Sequence, residues 1–320
     1  MMRFLPTEEQ QAFADTVDEI VDGLGGTDIP QAWSAGDTAP GLALWQQFAE
    51  LGLGGLRIAE DDGGLGGSAV DLAVVFERLG YHAVPGPYLE SVALLPRLVD
   101  AGTRAELAAG AVATAAVEGV APYAQDADAA ALRFAIDAGS IGAAEAGARI
   151  ESLSGLRRLS PLTASGERSP LESATLGAAL DEATLAASAL LLGAGERLLH
   201  EAVEYAKIRE QFGRPIGEYQ ALKHQLADVR VALSFARPLV HAAALAIDTP
   251  TAGRDVSAAK VAAGAAARRA ARTSLQVHGA IGYTAEHPVG LWIALAPVLD
   301  AAWGTPTFHR ARVARALTRA

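Results

Sequence analysis

Cysteine is absent from all 320 residues. That one absence removes disulfides, thiolate metal sites and a cysteine nucleophile together, and it suits a cytoplasmic protein. Positive charge is also in short supply: 26 Lys and Arg stand against 37 Asp and Glu, a net charge of −11. A broad nucleic-acid-binding face is excluded on that balance. The one local basic cluster, Arg268, Arg269 and Arg272, reads as a solvated helix face. The seven histidines are scattered and no His-x-x-x-His pair occurs, so no metal site is expected. No Gly-x-Ser-x-Gly elbow is present, which argues against hydrolase chemistry. Long apolar runs are missing too. The Ala-rich stretches 175–195 and 256–275 are interrupted by Asp181, Glu182, Lys260, Arg268 and Arg269. They fall short of the ~20 continuous apolar residues of a membrane span. The first residues turn acidic at once and do not read as a signal sequence.

What is present is a chain that is 51% hydrophobic, enough for a large core. Helical periodicity dominates residues 1–110. Thr7 and Gln10 form a predicted capping box, followed by Phe13, Val17, Ile20 and Leu24 at helical steps. A second helix is predicted through Leu44, Phe48 and Leu51, and a third from Ser68 through Leu72, Val75 and Leu79. In 111–170 the helical period fades. Short apolar runs at 111–117 and 131–136 alternate with Gly, Ser and Pro, which predicts a small β-rich insert. Residues 163–170 read as a linker. From 171 to 320 long helices return. Leu191, Leu198, Ala202 and Tyr205 share one stripe; Leu222, Leu226, Val229, Leu233 and Val240 share another. Pro215 and Pro250 fall between helices. The expected order is an N-terminal helical domain (1–110), a shortened β-rich middle (111–170) and a C-terminal helical bundle (171–320).

Two motifs invite chemistry. Gly63, Gly64, Gly66 and Gly67 suggest a nucleotide loop, but Asp61 and Asp62 would repel a pyrophosphate and no strand–helix series surrounds them. A glycine turn between helices is the simpler reading. The stretch from Arg209 to Asp228 carries more. Arg209 closes an amphipathic helix, where its guanidinium can grip a phosphate through two parallel hydrogen bonds. Phe212 offers an apolar face, Gly213 a sharp turn and Pro215 a restart.

Arg209, Phe212-Gly213, Pro215-Ile216, Gln220, Lys223-His224 and Leu226-Ala227-Asp228 are followed by Gln276, Gly279, Gly282 and Tyr283. In this order and spacing they resemble the acyl-CoA dehydrogenases, FAD enzymes that desaturate acyl thioesters. Leu51 to Leu56, Glu60, Gly63-Gly64, Asp71, Glu77 to Gly80 and Pro85-Gly86-Pro87 extend the likeness to the N-terminal half. The resemblance implies a mainly α fold: an N-terminal helical domain, a central β-domain and a C-terminal four-helix bundle. It also implies that Arg209, Gln211, Phe212, Gln276 and Gly279, with Ile216, Val277 and Ala280 beside them, contact the FAD of a neighbouring subunit. Thr305 matches a threonine near the subunit's own flavin. The acyl-CoA substrate and an electron-transfer flavoprotein as electron acceptor follow from the same likeness.

Two departures stand out. The middle insert is far shorter than the family's β-domain and lacks its signatures. Where the family places a glutamate base before Gly-Thr, this chain has Trp303, and an indole accepts no proton. Asp248 is the one alternative base along the chain at the family's second location, with Asp300 weaker still. A retained cross-interface grip without a local base is similar to the short subunit of actinobacterial α2β2 heterotetramers linked to steroid catabolism. There a full-length partner subunit carries the base. Two other readings stay open: a self-sufficient homo-oligomer using Asp248, and a non-catalytic scaffold without flavin. The acyl group, and whether CoA or a carrier protein bears it, are not legible.

Overall fold

A computed structural model describes residues 5–284 and 287–318, with the side chain of Tyr283 left aside. Local signals start the helices. Thr7 caps α1 (Glu8–Gly23) by accepting from the Gln10 amide, and Gln10 returns the bond, so the capping box forms as its residues dictate. After α2 (Asp28–Ser34) and α3 (Ala39–Glu50), Ser68 and Asp71 make a second capping box at α4 (Ala69–Tyr81). The glycine run before it is a packed turn. Gly63 and Gly66 have positive φ, and a Cβ on Gly64 would sit 2.2 Å from the Ile58 carbonyl oxygen. A π-helical segment, Leu89–Leu94, is wholly buried, and α5 (Ala101–Ala108) follows.

The strands of the middle region lie between Ala113 and Pro170. A four-stranded sheet runs in the order β1 (Ala113–Val117), β3 (Leu132–Ile136), β4 (Ser140–Ala146), β6 (Leu162–Pro170). β1 and β3 are parallel, while β3–β4 and β4–β6 are antiparallel. A small ladder joins β2 (Ala124–Gln125) to β5 (Leu159–Ser160). The linker expected at 163–170 is therefore an edge strand. It is half-exposed along its whole length, so its residues needed no apolar alternation, and turn formers such as Gly166 and Pro170 disguised it.

The C-terminal helices are α6 (Ser173–Ile208), α7 (Gln220–Leu245), α8 (Ala252–His278), α9 (Val289–Ala301) and α10 (Pro306–Thr318). α6 is long and apolar enough to cross a membrane, but 78% of that stretch is buried inside the protein. One continuous apolar core runs from α1 through β1 and β3 to α9. Glycine sets the closest approach. A Cβ on Gly193 of α6 would lie 1.8 Å from the Glu77 carbonyl, and one on Gly80 of α4 would lie 2.1 Å from that of Leu190. Small side chains let these helix axes nearly touch. Glu182, 1% exposed on α6, pairs with both Arg57 and Arg97 and ties the N-terminal segment to the bundle.

Candidate functional site

Two regions separate the predicted site residues. The first begins where α6 ends. Arg209 leaves the helix in an extended conformation and opens a hairpin of β7 (Glu210–Gln211) and β8 (Arg214–Pro215). Phe212 and Gly213 form its tip with φ of 53° and 79°. A two-residue hairpin wants both tip residues left-handed, which suits Gly213 but strains Phe212 by about 1–2 kcal/mol. The Phe212 ring is 93% exposed, so burial does not repay that strain within the chain. The Arg209 guanidinium is exposed and meets no acceptor among the described residues. Gln211 is exposed as well, and its carbonyl accepts from the Tyr219 hydroxyl at 3.1 Å. Arg214 stacks 4.2 Å above the Tyr219 ring and stiffens the hairpin base.

The end of α8 meets this hairpin. Val277 is buried in a small cluster with Ala202 and Ala206, against which Ile216, Leu222 and Tyr205 pack. Residues some sixty positions apart thus share one anchor, with Gln276 and Ala280 exposed beside it. Gly279 stops α8 with φ of 62°, and nothing lies within 4 Å of where its Cβ would stand. His278 stacks on Tyr205 at 4.5 Å and approaches His287 at 4.8 Å. Its Nδ1 donates to the Ser274 carbonyl at 2.8 Å, and burial holds it below the usual histidine range.

The second region is the corner between α9 and α10. Trp303 is 1% exposed and left-handed, with φ of 56°. Buried groups lock it there. Lys260, 1% exposed, donates to the carbonyls of Leu299, Asp300 and Ala302, each at 3.0 Å, closing the C-terminus of α9. Burial pushes Lys260 down to about 8, so it remains charged at neutral pH. The fully buried His309 contacts the Trp303 carbonyl through Nε2 at 2.9 Å. A carbonyl can only accept, so Nε2 carries the proton and Nδ1 accepts from Ser257 Oγ at 3.1 Å. Burial pushes His309 down to about 4, which keeps the ring neutral. Thr305 is exposed, and its hydroxyl accepts from the Phe308 amide. Asp300 is buried and paired with Arg268 at 2.7 Å. Part of the supposed solvated arginine face therefore serves a buried carboxylate.

A cavity of about 260 Å³ opens beside Trp303. Its walls are Val120 to Tyr123, Ser152, Arg157, Leu159, Val298, Ala301 and Ala302, and among the described residues no carboxylate lines it. Asp248 is not among them. It lies past the end of α7, its side chain is 75% exposed, and it pairs with Arg97 at 3.2 Å. Its place in the sequence left it the candidate base; the tertiary structure makes it a surface ion-pair partner.

Sequence reasoning missed the polar group behind this cavity. Arg157 and Arg158 are buried, as are Glu90 and Asp126. Arg158 binds Asp126 at 2.8 Å, and the Trp33 indole donates to the same carboxylate. Glu90 is pushed up to about 7 by burial, against the pull of Arg157. The available signal was a single Glu in the apolar run 88–95, a pattern that often marks a buried ionisable group.

Known proteins place the chain. The acyl-CoA dehydrogenase N-terminal domain matches residues 7–106 and the C-terminal domain residues 174–318. The acyl-CoA dehydrogenase IpdE2 of Mycobacterium tuberculosis is 36% identical over 295 residues, 90% of either chain. The solved ChsE4-ChsE5 complex from the same organism shares the fold with a TM-score of 0.86 at 25% identity, over the whole of both chains. Butyryl-CoA dehydrogenase from Megasphaera elsdenii gives 0.84 at 20% identity, covering 99% of this chain and all of that one, which is a likeness of fold.

Proposed function

This chain belongs to the acyl-CoA dehydrogenase family, whose cofactor is FAD, and we propose that it is the short subunit of a hetero-oligomeric enzyme. In this reading it grips the FAD of a neighbouring full-length subunit, which supplies the catalytic base. The observation that carries the reading is the contrast at its two sites. The Arg209 hairpin is exposed and strained, and among the described residues the Arg209 guanidinium has no acceptor and the cavity beside Trp303 no carboxylate.

The residues fit such a group. A phosphate would satisfy the Arg209 guanidinium, and the open space over Gly279 allows close approach to the backbone. Phe212 and Gln211 stand on the same hairpin, with Gln276 in the last turn of α8 and Ala280 in the turn that follows it. Ile216 and Val277 hold the two pieces in register from below. Thr305, next to Trp303, would approach a flavin on the subunit's own side. When bound, FAD accepts the hydride in α,β-desaturation. This chain's part is to bind and orient it, and an electron-transfer flavoprotein would reoxidise it.

An interface is also built into α7. Val231, Phe235 and Leu239 recur every fourth residue and are 52%, 75% and 44% exposed. An apolar helix stripe of this kind fits a neighbouring bundle better than water. The solved two-protein complex of a similar chain supports the pairing; an α2β2 stoichiometry, steroid-derived acyl-CoA as substrate and a cytoplasmic location extend the sequence resemblance. The test is flavin content. Expressed alone, the chain should bind little FAD; co-expressed with a full-length partner, it should yield a yellow, active complex. Full flavin occupancy and turnover in the lone chain would refute the reading.

A further inference from the structure

A groove of about 500 Å³ lies where the N-terminal region meets the start of α6. In a chain of net charge −11, its walls carry three arginines, Arg57, Arg97 and Arg104, and, among the described residues, one carboxylate, Asp62. The arginines come from three places. Arg57 stands between α3 and α4, Arg97 just beyond the π-helical segment, and Arg104 on α5. Folding has gathered them in spite of their like charge.

What holds these arginines leaves capacity over. Arg57 and Arg97 both bind Glu182, which is 1% exposed. One carboxylate cannot balance two guanidiniums. Arg97 also meets Asp248 at 3.2 Å, but that side chain is 75% exposed and screened by water. Arg104 donates from Nε to Asp62 at 2.8 Å and from Nη1 to the Val99 carbonyl at 2.9 Å. One terminal amino group on each arginine has no acceptor among the described residues: Nη2 of Arg57, Nη1 of Arg97 and Nη2 of Arg104. Ala174 and Thr175, in the first turn of α6, line the same groove. No side chain caps that helix end, and the amides of Ser173, Ala174 and Thr175 have no acceptor among the described residues.

Donors thus reach one space from several elements. A planar carboxylate answers a single guanidinium fork. A phosphate ester carries a charge of about −1.5 to −2 and three strong acceptor oxygens that point in different directions. Arginines and helix N-termini are its usual partners. The groove exceeds the phosphate alone, and Ile58, Pro96 and Ala178 offer an apolar wall to an organic body.

We propose that this groove binds a small organic phosphomonoester, its phosphate on Arg57, Arg97, Arg104 and the first amides of α6. Among the described residues the site shares no wall residue with the Trp303 cavity and includes none from the Arg209 hairpin, so it does not rest on the flavin reading.

Calorimetric titration of the full-length chain with phenyl phosphate at pH 7.5 tests this, with inorganic phosphate as the head alone and benzyl alcohol as the body alone. Phenyl phosphate should bind saturably, at least ~3-fold more tightly than inorganic phosphate and at least ~10-fold more tightly than benzyl alcohol. Arg97→Met and Arg104→Met should each weaken it at least ~10-fold, the scale of losing a charge-assisted hydrogen bond. Should one of them fail to fold by circular dichroism, Arg104→Lys joins the other; it keeps the charge, loses the fork, and should weaken the ester several-fold. No saturable binding of phenyl phosphate, inorganic phosphate bound as tightly as the ester, or parent-like affinity in both arginine variants would overturn the proposal.

Discussion

The Arg209 hairpin and the Trp303 corner both hold a bulky aromatic in a left-handed conformation, yet the chain treats them in opposite ways. At Trp303 the strain is enclosed. The ring is buried, Lys260 satisfies three carbonyls before and beneath it, and a neutral His309 holds its own carbonyl. At Phe212 the strain is displayed. The ring projects into solvent, and the guanidinium of nearby Arg209 meets no acceptor among the described residues. Strained exposed residues persist where something outside the chain rewards them. A sealed corner and an open arm together describe a protein that has closed its own site and keeps a hand free for another.

The strongest way to break this comparison is to hollow out the sealed side. Trp303→Ala should cost about 3–5 kcal/mol, the usual loss for a large buried aromatic, read from urea unfolding at pH 7.5. A loss under ~1 kcal/mol would mean the corner is not a packed structural element. On the open side, Arg209→Ala should leave that unfolding curve nearly unchanged, because its side chain is exposed and makes no hydrogen bond or ion pair among the described residues. In the co-expressed complex the same change should weaken FAD retention by ~10²-fold, the value of losing two charge-assisted hydrogen bonds. Unchanged flavin content would show the arm to be vestigial.

Acid sharpens the comparison, since two buried groups act with opposite signs. His309 titrates near 4 when folded and near its ordinary 6.5 when unfolded. The unfolded chain therefore takes up the proton first, and stability falls as pH drops from about 6.5 to about 4. Glu90 is raised from 4.5 to about 7, so the folded chain binds the extra proton between those values. That contribution is present below about 4.5 and is lost as pH rises to 7. The two oppose each other across most of the same window. Glu90→Gln removes one of them, so its urea midpoint should fall more steeply between pH 6.5 and 5 than the parent's. Parallel pH profiles would show that Glu90 does not titrate there. The smallest effect is expected from Phe212→Gly. Relief of the left-handed strain is offset by glycine's added freedom in the unfolded chain, so stability should change by no more than ~1 kcal/mol. Flavin retention in the complex should still drop. A loss of several kcal/mol would mean that Phe212 packs within the chain.

The elements most legible in advance are those whose physics is local. The Thr7 capping box acts within three residues, Ser68 marked the start of α4, and the turn and restart after Arg209 are carried in adjacent positions. Even there the edge strand at 162–170 escaped, because an exposed ladder partner needs no apolar period. The buried polar group was less legible still. Glu90, Asp126 and Arg157 lie in separate stretches, and each looks like an ordinary solvated charge until the chain is folded.

By itself the sequence determined the helical architecture, the family, the lack of a glutamate at Trp303 and the presence of the Arg209 motif, since each is written in residue type and spacing. Tertiary structure alone decided that Asp248 faces water beside Arg97, that Ile216 and Val277 share an anchor, and that a buried Arg157, bonded to Gln125, lines the same cavity as Trp303. Burial and unmet hydrogen-bonding capacity belong to pairs of residues far apart in the chain, and they acquire meaning only when packing brings those residues together.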